Sequence, residues 1–339
     1  MKAGESPGGR GALYYVLLSG EHPTLPRGEL SALLESRHGG EVVYFFDGLA
    51  LVRGLRDPQG IPLEAGMAKE IGLVHSIVEA EPEEVRRAVE EAVRARGYSR
   101  ISLRKFKGYS CHITGETLQG IARGKGGGTL RVIVTEGVAV IGEPLAVQDT
   151  KALNARRPGK RPFFKPGPLS PSLSRVFVNL SRLRPGQVFL DPFCGTGGFA
   201  LEACDLGALH CLCGDLSSDM VRGSLVNLRY YGYGDRVTVF WQDSARLPLA
   251  DESVDAIATD PPYGRSTTTG RRGYSGVVEA FIGEAYRVLR RGGYLVYAGP
   301  ARYEPWRYAL EAGFTVAERY QMYVHSTLTR EIVVAYKGE

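Results

Sequence analysis

Four aspartates punctuate the second half of the chain where strand-like runs end: Asp191 in Asp-Pro-Phe-Cys-Gly-Thr-Gly-Gly, Asp215, Asp243, and Asp260 in Thr-Asp-Pro-Pro-Tyr-Gly. The first stands at the mouth of a glycine-rich loop, where Gly195 and Gly197 let a ligand approach the main chain as a helix opens. With Ala200 and Asp215 this spacing also matches the dinucleotide-binding pattern G-x-G-x-x-A. Asp191 separates the two options, because a carboxylate there repels a pyrophosphate and attracts the ammonium of a methionine moiety. S-adenosylmethionine therefore fits better. Asp215 is placed to accept ribose hydroxyls, and Asp243, beside the Ser244 main chain, to take an adenine amino group. Pro192, Cys194 and Thr196 complete the loop and are expected to line the same cradle. A lone strand-end aspartate can be merely a helix cap, but three in this order are expected to hold a ligand.

The tetrad Asp260-Pro261-Pro262-Tyr263 follows an apolar strand, Val254 to Ala258, and is the most specific signal in the chain. An exocyclic amine is a poor nucleophile because its lone pair is delocalised into the ring. A carboxylate and a fixed carbonyl accepting its two hydrogens orient it and disperse the developing positive charge. Asp260 and the Pro261 carbonyl supply those acceptors, and Tyr263 offers a ring on which an extruded base can stack. The bland alternative is a rigid turn with a packed tyrosine, which leaves the upstream glycine loop without a purpose.

Residues 188 to 300 resemble class I methyltransferases with a D/N-P-P-Y motif, which modify exocyclic amines of adenine, cytosine or guanine, or a glutamine amide. The whole chain resembles the archaeal tRNA guanosine-10 N2-methyltransferases, on RRPGKRPFFKPGPLSP at 156 to 171, DPFCGTGGFALEA at 191 to 203 and TDPPYGRSTTTG at 259 to 270. The resemblance implies that Asp260 and Pro261 hold the guanine N2 amine, that Tyr263 packs on the base, and that Asp191, Gly195, Gly197, Asp215 and Asp243 hold the cofactor. It also implies that the segment from Phe163 to Leu169 closes over the methionine end. One or two successive methyl transfers are both compatible with it.

The elements that must position these residues form an α/β chain. From 173 to 339, strands at Val188 to Leu190, His210 to Gly214, Val237 to Trp241, Val254 to Thr259 and Tyr294 to Ala298 alternate with helices near 198 to 206, 218 to 230 and 277 to 289. This predicts a doubly wound, Rossmann-like sheet, with an antiparallel hairpin, Phe314 to Val324 and Leu328 to Tyr336, closing its edge. Residues 1 to 80 read as βαββαβ, a ferredoxin-like α+β pattern, with Asp47-Gly48 as a hairpin turn and a second helix over Leu63 to Ile71. Residues 81 to 148 carry a helix from Pro82, a basic strand, a helix over Glu116 to Ala122, a glycine-rich turn and a hairpin, assigned by resemblance to a THUMP domain. Residues 149 to 172 form a basic linker. The five prolines between Lys151 and Pro171 predict an extended course there.

At 339 residues with 43% hydrophobic and 23% charged residues the chain suits several globular domains, and it has neither a membrane-length apolar run nor a secretory leader, so a cytoplasmic location is expected. Five cysteines argue against a disulfide framework, and the six histidines lack ligand spacing, so no metal is expected; Cys211 and Cys213 are expected to be packed core. Net charge is only +5, yet Ala92 to Gly115 and Thr150 to Leu190 hold basic residues and no acid. Such tracts suit a phosphate-bearing partner, and Arg104, Lys105, Lys125, Arg156, Arg157, Lys160 and Arg161 are the candidate RNA-binding residues. A monomer acting on tRNA is expected. A DNA amino-methyltransferase would need a DNA-recognition module, a protein-glutamine methyltransferase would leave the basic tracts idle, and a non-catalytic RNA-binding protein would not need the intact carboxylates.

Overall fold

A computed structural model describes residues 11–106, 112–122, 127–263 and 273–339, which fall into two compact units, Met1–Asp149 and Thr150–Glu339. Lys125 and the stretch after Tyr263 lie outside the described residues.

The first unit runs β1 (Leu13–Leu18), α1 (Leu25–Leu33, continued by one π turn), β2 (Glu41–Phe46), β3 (Leu49–Arg53), α2 (Gly60–Glu64), β4 (Ala68–Glu79), α3 (Pro82–Arg96), β5 (Arg100–Lys105), α4 (Gly115–Gln119), β6 (Thr129–Thr135) and β7 (Val138–Val147). The βαββαβ order is present, but the second helix is displaced: Ala68 to Ile71, expected to be helical, begin β4. Short apolar runs satisfy both periodicities, and here pairing with β1, Val16 opposite Ile71, decides for strand. Among the described residues one seven-stranded sheet, β2-β3-β1-β4-β7-β6-β5, carries the strands of this unit, continuous through the long β4–β7 pairing.

The second unit opens with α5 (Thr150–Ala155) and α6 (Pro171–Leu180), followed by β8 (Val188–Asp191), α7 (Gly198–Asp205), β9 (His210–Asp215), α8 (Ser218–Tyr230), β10 (Val237–Trp241), β11 (Val254–Thr259), α9 (Gly273–Val288), β12 (Leu289–Pro300), α10 (Trp306–Glu311), β13 (Thr315–His325) and β14 (Leu328–Tyr336). The strands order as β10-β9-β8-β11-β12-β14-β13, parallel except for the antiparallel β14. The expected hairpin is present, with its second strand inserted beside β12. Phe189, Ile257, Phe281, Leu295, Tyr297 and Val333 are fully buried.

The basic segment is not a plain extended linker. Thr150–Ala155 is helical and Pro158–Lys160 makes a 3-10 turn. Ser170 then caps α6 by accepting the Leu173 amide at 3.3 Å, with Pro171 at the first helical position, where a proline costs no hydrogen bond.

Candidate active site

In an open parallel sheet ligands bind beyond the carboxyl ends of the strands, at the point where the strand order reverses. Here that point lies between β8 and β11, because the chain leaves the β8–β9–β10 half and returns on the other side of β8. Asp191 ends β8 and Asp260 follows the last residue of β11, so the sequence-separated loop and tetrad meet at one crevice.

Asp191 is fully buried. Its Oδ1 accepts the Thr259 hydroxyl at 2.7 Å and the Phe193 amide at 3.2 Å, whereas Oδ2 is buried without a partner. Burial, reinforced by the nearby charges of Asp215 and Asp260, pushes the Asp191 carboxyl up to about 7. An orphaned carboxylate oxygen this deep is incompletely satisfied until a cationic donor reaches it.

The loop behind it folds as its glycines require. Gly197 has φ +83°, a conformation L side chains rarely adopt, and it starts α7. Asp215 fastens the loop from β9: Oδ2 accepts the Gly195 amide at 2.9 Å and Oδ1 the Ser217 amide at 2.8 Å. Both oxygens keep lone pairs for further donors. Burial raises the Asp215 carboxyl above its usual range. Asp243 is exposed and accepts the Ala245 amide at 3.0 Å, with Ser244 buried beside it. Pro192, Cys194 and Thr196 are buried in the loop.

Asp260 is 20% exposed at its side chain, and burial raises its carboxyl while Arg330 lowers it. Oδ2 lies 3.5 Å from Arg330 Nη2, and Oδ1 is buried without a partner. Tyr263 accepts a hydrogen bond from Arg330 Nε at its hydroxyl, and its ring meets Tyr274 edge-on at 6.3 Å. Pro261 is buried next to Asp260. Arg330, Thr259, Gln242 and Asn227 were not anticipated from sequence. Gln242 donates to the Pro192 carbonyl at 3.0 Å, and Asn227 donates to the Thr196 and Phe163 carbonyls at 2.9 Å each.

The basic segment divides. Arg157 and Lys160 are exposed, as a phosphate contact requires. Arg156 and Arg161 are buried, and their expected RNA-binding role is corrected. Arg156 makes a bidentate pair with the fully buried Glu202, at 2.9 and 3.0 Å, and Arg161 donates to Thr196 Oγ1 at 3.0 Å beneath the glycine loop. Phe163 is locked to α8 by Asn227, and its ring occupies the space a Cβ at Gly223 would need. The segment is thus a strap fixed to the cradle, with Leu169 partly buried just before α6. In the first unit Arg104 and Lys105 are exposed on β5.

Cys211 and Cys213 are fully buried within β9, and no group of metal-ligating residues occurs among the described residues. Nor is any helix among them long and apolar enough to cross a membrane.

Residues 158–332 match the family model of the RMKL-like methyltransferase domain. The chain is 34% identical to the tRNA (guanine(10)-N2)-dimethyltransferase of Methanothermobacter thermautotrophicus, over 94% of this chain and 98% of that protein. It belongs to the tRNA (guanine(10)-N2)-dimethyltransferase family. A second family member, from Methanocaldococcus jannaschii, is 36% identical over 61% of this chain and 57% of its own length. The fold agrees: TrmN from Thermus thermophilus superposes with a TM-score of 0.58, covering 96% of this chain and 99% of that one at 21% identity. The methyl donor of this methyltransferase family is S-adenosylmethionine. The orphaned Asp191 Oδ2, the left-handed glycine turn, Asp215 at the end of β9 and Asp243 just beyond β10 would suit its ammonium, main-chain approach, ribose and adenine respectively.

Proposed function

We propose that this chain methylates the N2 amine of guanosine 10 in tRNA, with Asp260 and the Pro261 carbonyl as the groups that hold the amine. The observation that carries the assignment is the split Asp260 carboxylate: Oδ2 faces a guanidinium, and Oδ1 is buried and unpartnered at the crevice where Asp191 also leaves an oxygen unmet. When bound, the cofactor supplies an electrophilic methyl group on a sulfonium. The chain's own residues do the rest. Oδ1 and the Pro261 carbonyl accept the two N2 hydrogens, which draws the nitrogen toward tetrahedral geometry and localises on it the lone pair otherwise shared with the ring. An ionised Oδ1 can then take the proton the methylated nitrogen must shed. A once-methylated amine presents a single N–H and needs only one of the two acceptors, so the same arrangement serves a second transfer.

Asp191, the Gly195–Gly197 turn, Asp215, Asp243 and the Ser244 main chain are assigned to the cofactor, with the Phe163–Leu169 strap over its methionine end. Residues 1–80 and 81–148 are assigned as ferredoxin-like and THUMP domains, and exposed Arg104, Lys105, Arg157 and Lys160 as phosphate contacts. The chain is taken to act as a monomer in the cytoplasm.

The test is transfer of labelled methyl from S-adenosylmethionine to unmodified tRNA transcripts. Wild type should yield N2-methylated guanosine, while Asp260→Ala and a transcript altered only at guanosine 10 should each abolish the label. Labelling that survives the guanosine change refutes the position, and labelling that survives Asp260→Ala refutes the catalytic assignment.

A further inference from the structure

Arg330 comes from β14, two strands from β11 in the sheet and 70 residues after Asp260, opposite Pro300 of β12 and Met322 of β13. Its side chain is 10% exposed and its guanidinium reaches both working residues of the tetrad. Nη2 approaches Asp260 Oδ2 at 3.5 Å, Nε donates to the Tyr263 hydroxyl, and the guanidinium carbon lies 5.7 Å from the Tyr263 ring centroid. A buried arginine is expensive unless its charge is met, and here the groups that meet it are those the amine must touch.

We propose that Arg330 is a positioning residue for methyl transfer: it holds Asp260 ionised by engaging Oδ2, turns Oδ1 toward the substrate amine, and fixes the plane of Tyr263 against the base. This rests on the assignment of Asp260 as the amine's acceptor. The electrostatics require such a partner. Among the described residues the ionisable groups facing Asp260 are Asp191 at the end of β8, Tyr263 on its own turn, Tyr274 on α9 and Arg330 on β14. Burial favours a neutral Asp260, Arg330 and, after it, Tyr263 hold its carboxyl down, and Arg330 alone of these groups carries the opposite charge. A protonated Asp260 would offer a donor where an acceptor is needed. Arginine suits the task because its planar fork serves a carboxylate and a hydroxyl from one rigid group.

The experiment compares Arg330→Met, Arg330→Lys, Asp260→Ala and wild type, each first checked for folding and for S-adenosylmethionine affinity by calorimetry. Transfer to tRNA is then followed from pH 5.5 to 9. Loss of the guanidinium raises the Asp260 carboxyl, so in Arg330→Met the acid limb of kcat should move up by about one pH unit, with kcat roughly tenfold lower on the acid side of both limbs and recovering at alkaline pH. Cofactor affinity should be unchanged. Arg330→Lys keeps the charge and should restore the limb without restoring the full rate, because one ammonium cannot hold both partners. An Arg330→Met enzyme that binds cofactor normally and keeps the wild-type acid limb overturns the proposal, as does a uniform loss at every pH. Activity surviving in Asp260→Ala would instead remove the acceptor assignment beneath it, a separate and recognisable failure.

Discussion

Cofactor binding should depend on pH through Asp191. Its carboxyl is fully buried and raised from 3.8 to about 7. A rise of roughly three units corresponds to about 4 kcal/mol between its neutral and charged forms. The sign follows from the direction. The fold prefers the neutral acid, so the stability associated with this residue is full below the unfolded value of about 4 and is lost as the pH climbs toward 7. A bound ammonium reverses that preference, since it needs the ionised form. Affinity for S-adenosylmethionine should therefore weaken by roughly tenfold per pH unit below 7, or roughly a hundredfold at pH 5. Isothermal titration of wild type and Asp191→Asn across pH 5 to 8 measures this. Asp191→Asn should bind weakly with a flat profile, and its unliganded form should melt at a higher temperature than wild type at pH 8 but not at pH 5. Wild-type affinity that is flat over this range, or Asp191→Asn binding with wild-type affinity, would refute the reasoning.

Three smaller tests follow from the strap. Arg156→Ala leaves Glu202 buried without its bidentate partner, although Arg175 still reaches that carboxylate at 2.8 Å; denaturant melts should register a loss of about 3 kcal/mol. A double Arg157→Ala, Lys160→Ala variant should leave stability unchanged and flatten the salt dependence of tRNA binding by up to about two units of slope. Gly223→Ala should displace the Phe163 ring, because the added Cβ would lie 2.1 Å from it. A stability loss of about 1–3 kcal/mol in denaturant melts, together with weaker cofactor binding, is the expected cost of that overpacking.

Much of the site was legible because it is local. The glycine loop, the strand-end carboxylates and the tetrad each announce themselves within a few residues, and the alternating strands place them on one sheet edge. What escaped notice depends on distant pairing. Nothing in Thr-Leu-Thr-Arg-Glu-Ile-Val-Val-Ala-Tyr says that Arg330 will find Asp260, although two charges leading an apolar strand, both buried, were an available warning. Arg156 looked like part of a solvated basic run because Glu202, its partner, lies 46 residues on. The five prolines concealed α5, which ends before the first of them, and α6, which begins with the last. Met67, Ala68 and Ile71 were assigned to a helix because a short apolar run carries no length to choose its period.

The place of β14 in the sheet bears on how the enzyme comes into being. The groups assigned to the cofactor, apart from the strap, lie between residues 191 and 244 on neighbouring parallel strands, whereas the tetrad's guanidinium partner arrives with residue 330. In chain order the residues assigned to the donor therefore all precede the arginine on which the tetrad depends. Because β14 must slide between β12 and β13, the last pairing to become available is also the one that completes the tetrad's surroundings. Val333 and Ala335 of that strand pack in the same core as Leu190 and Ile257, so the pairing that delivers the arginine also completes the packing beneath the donor-binding strands.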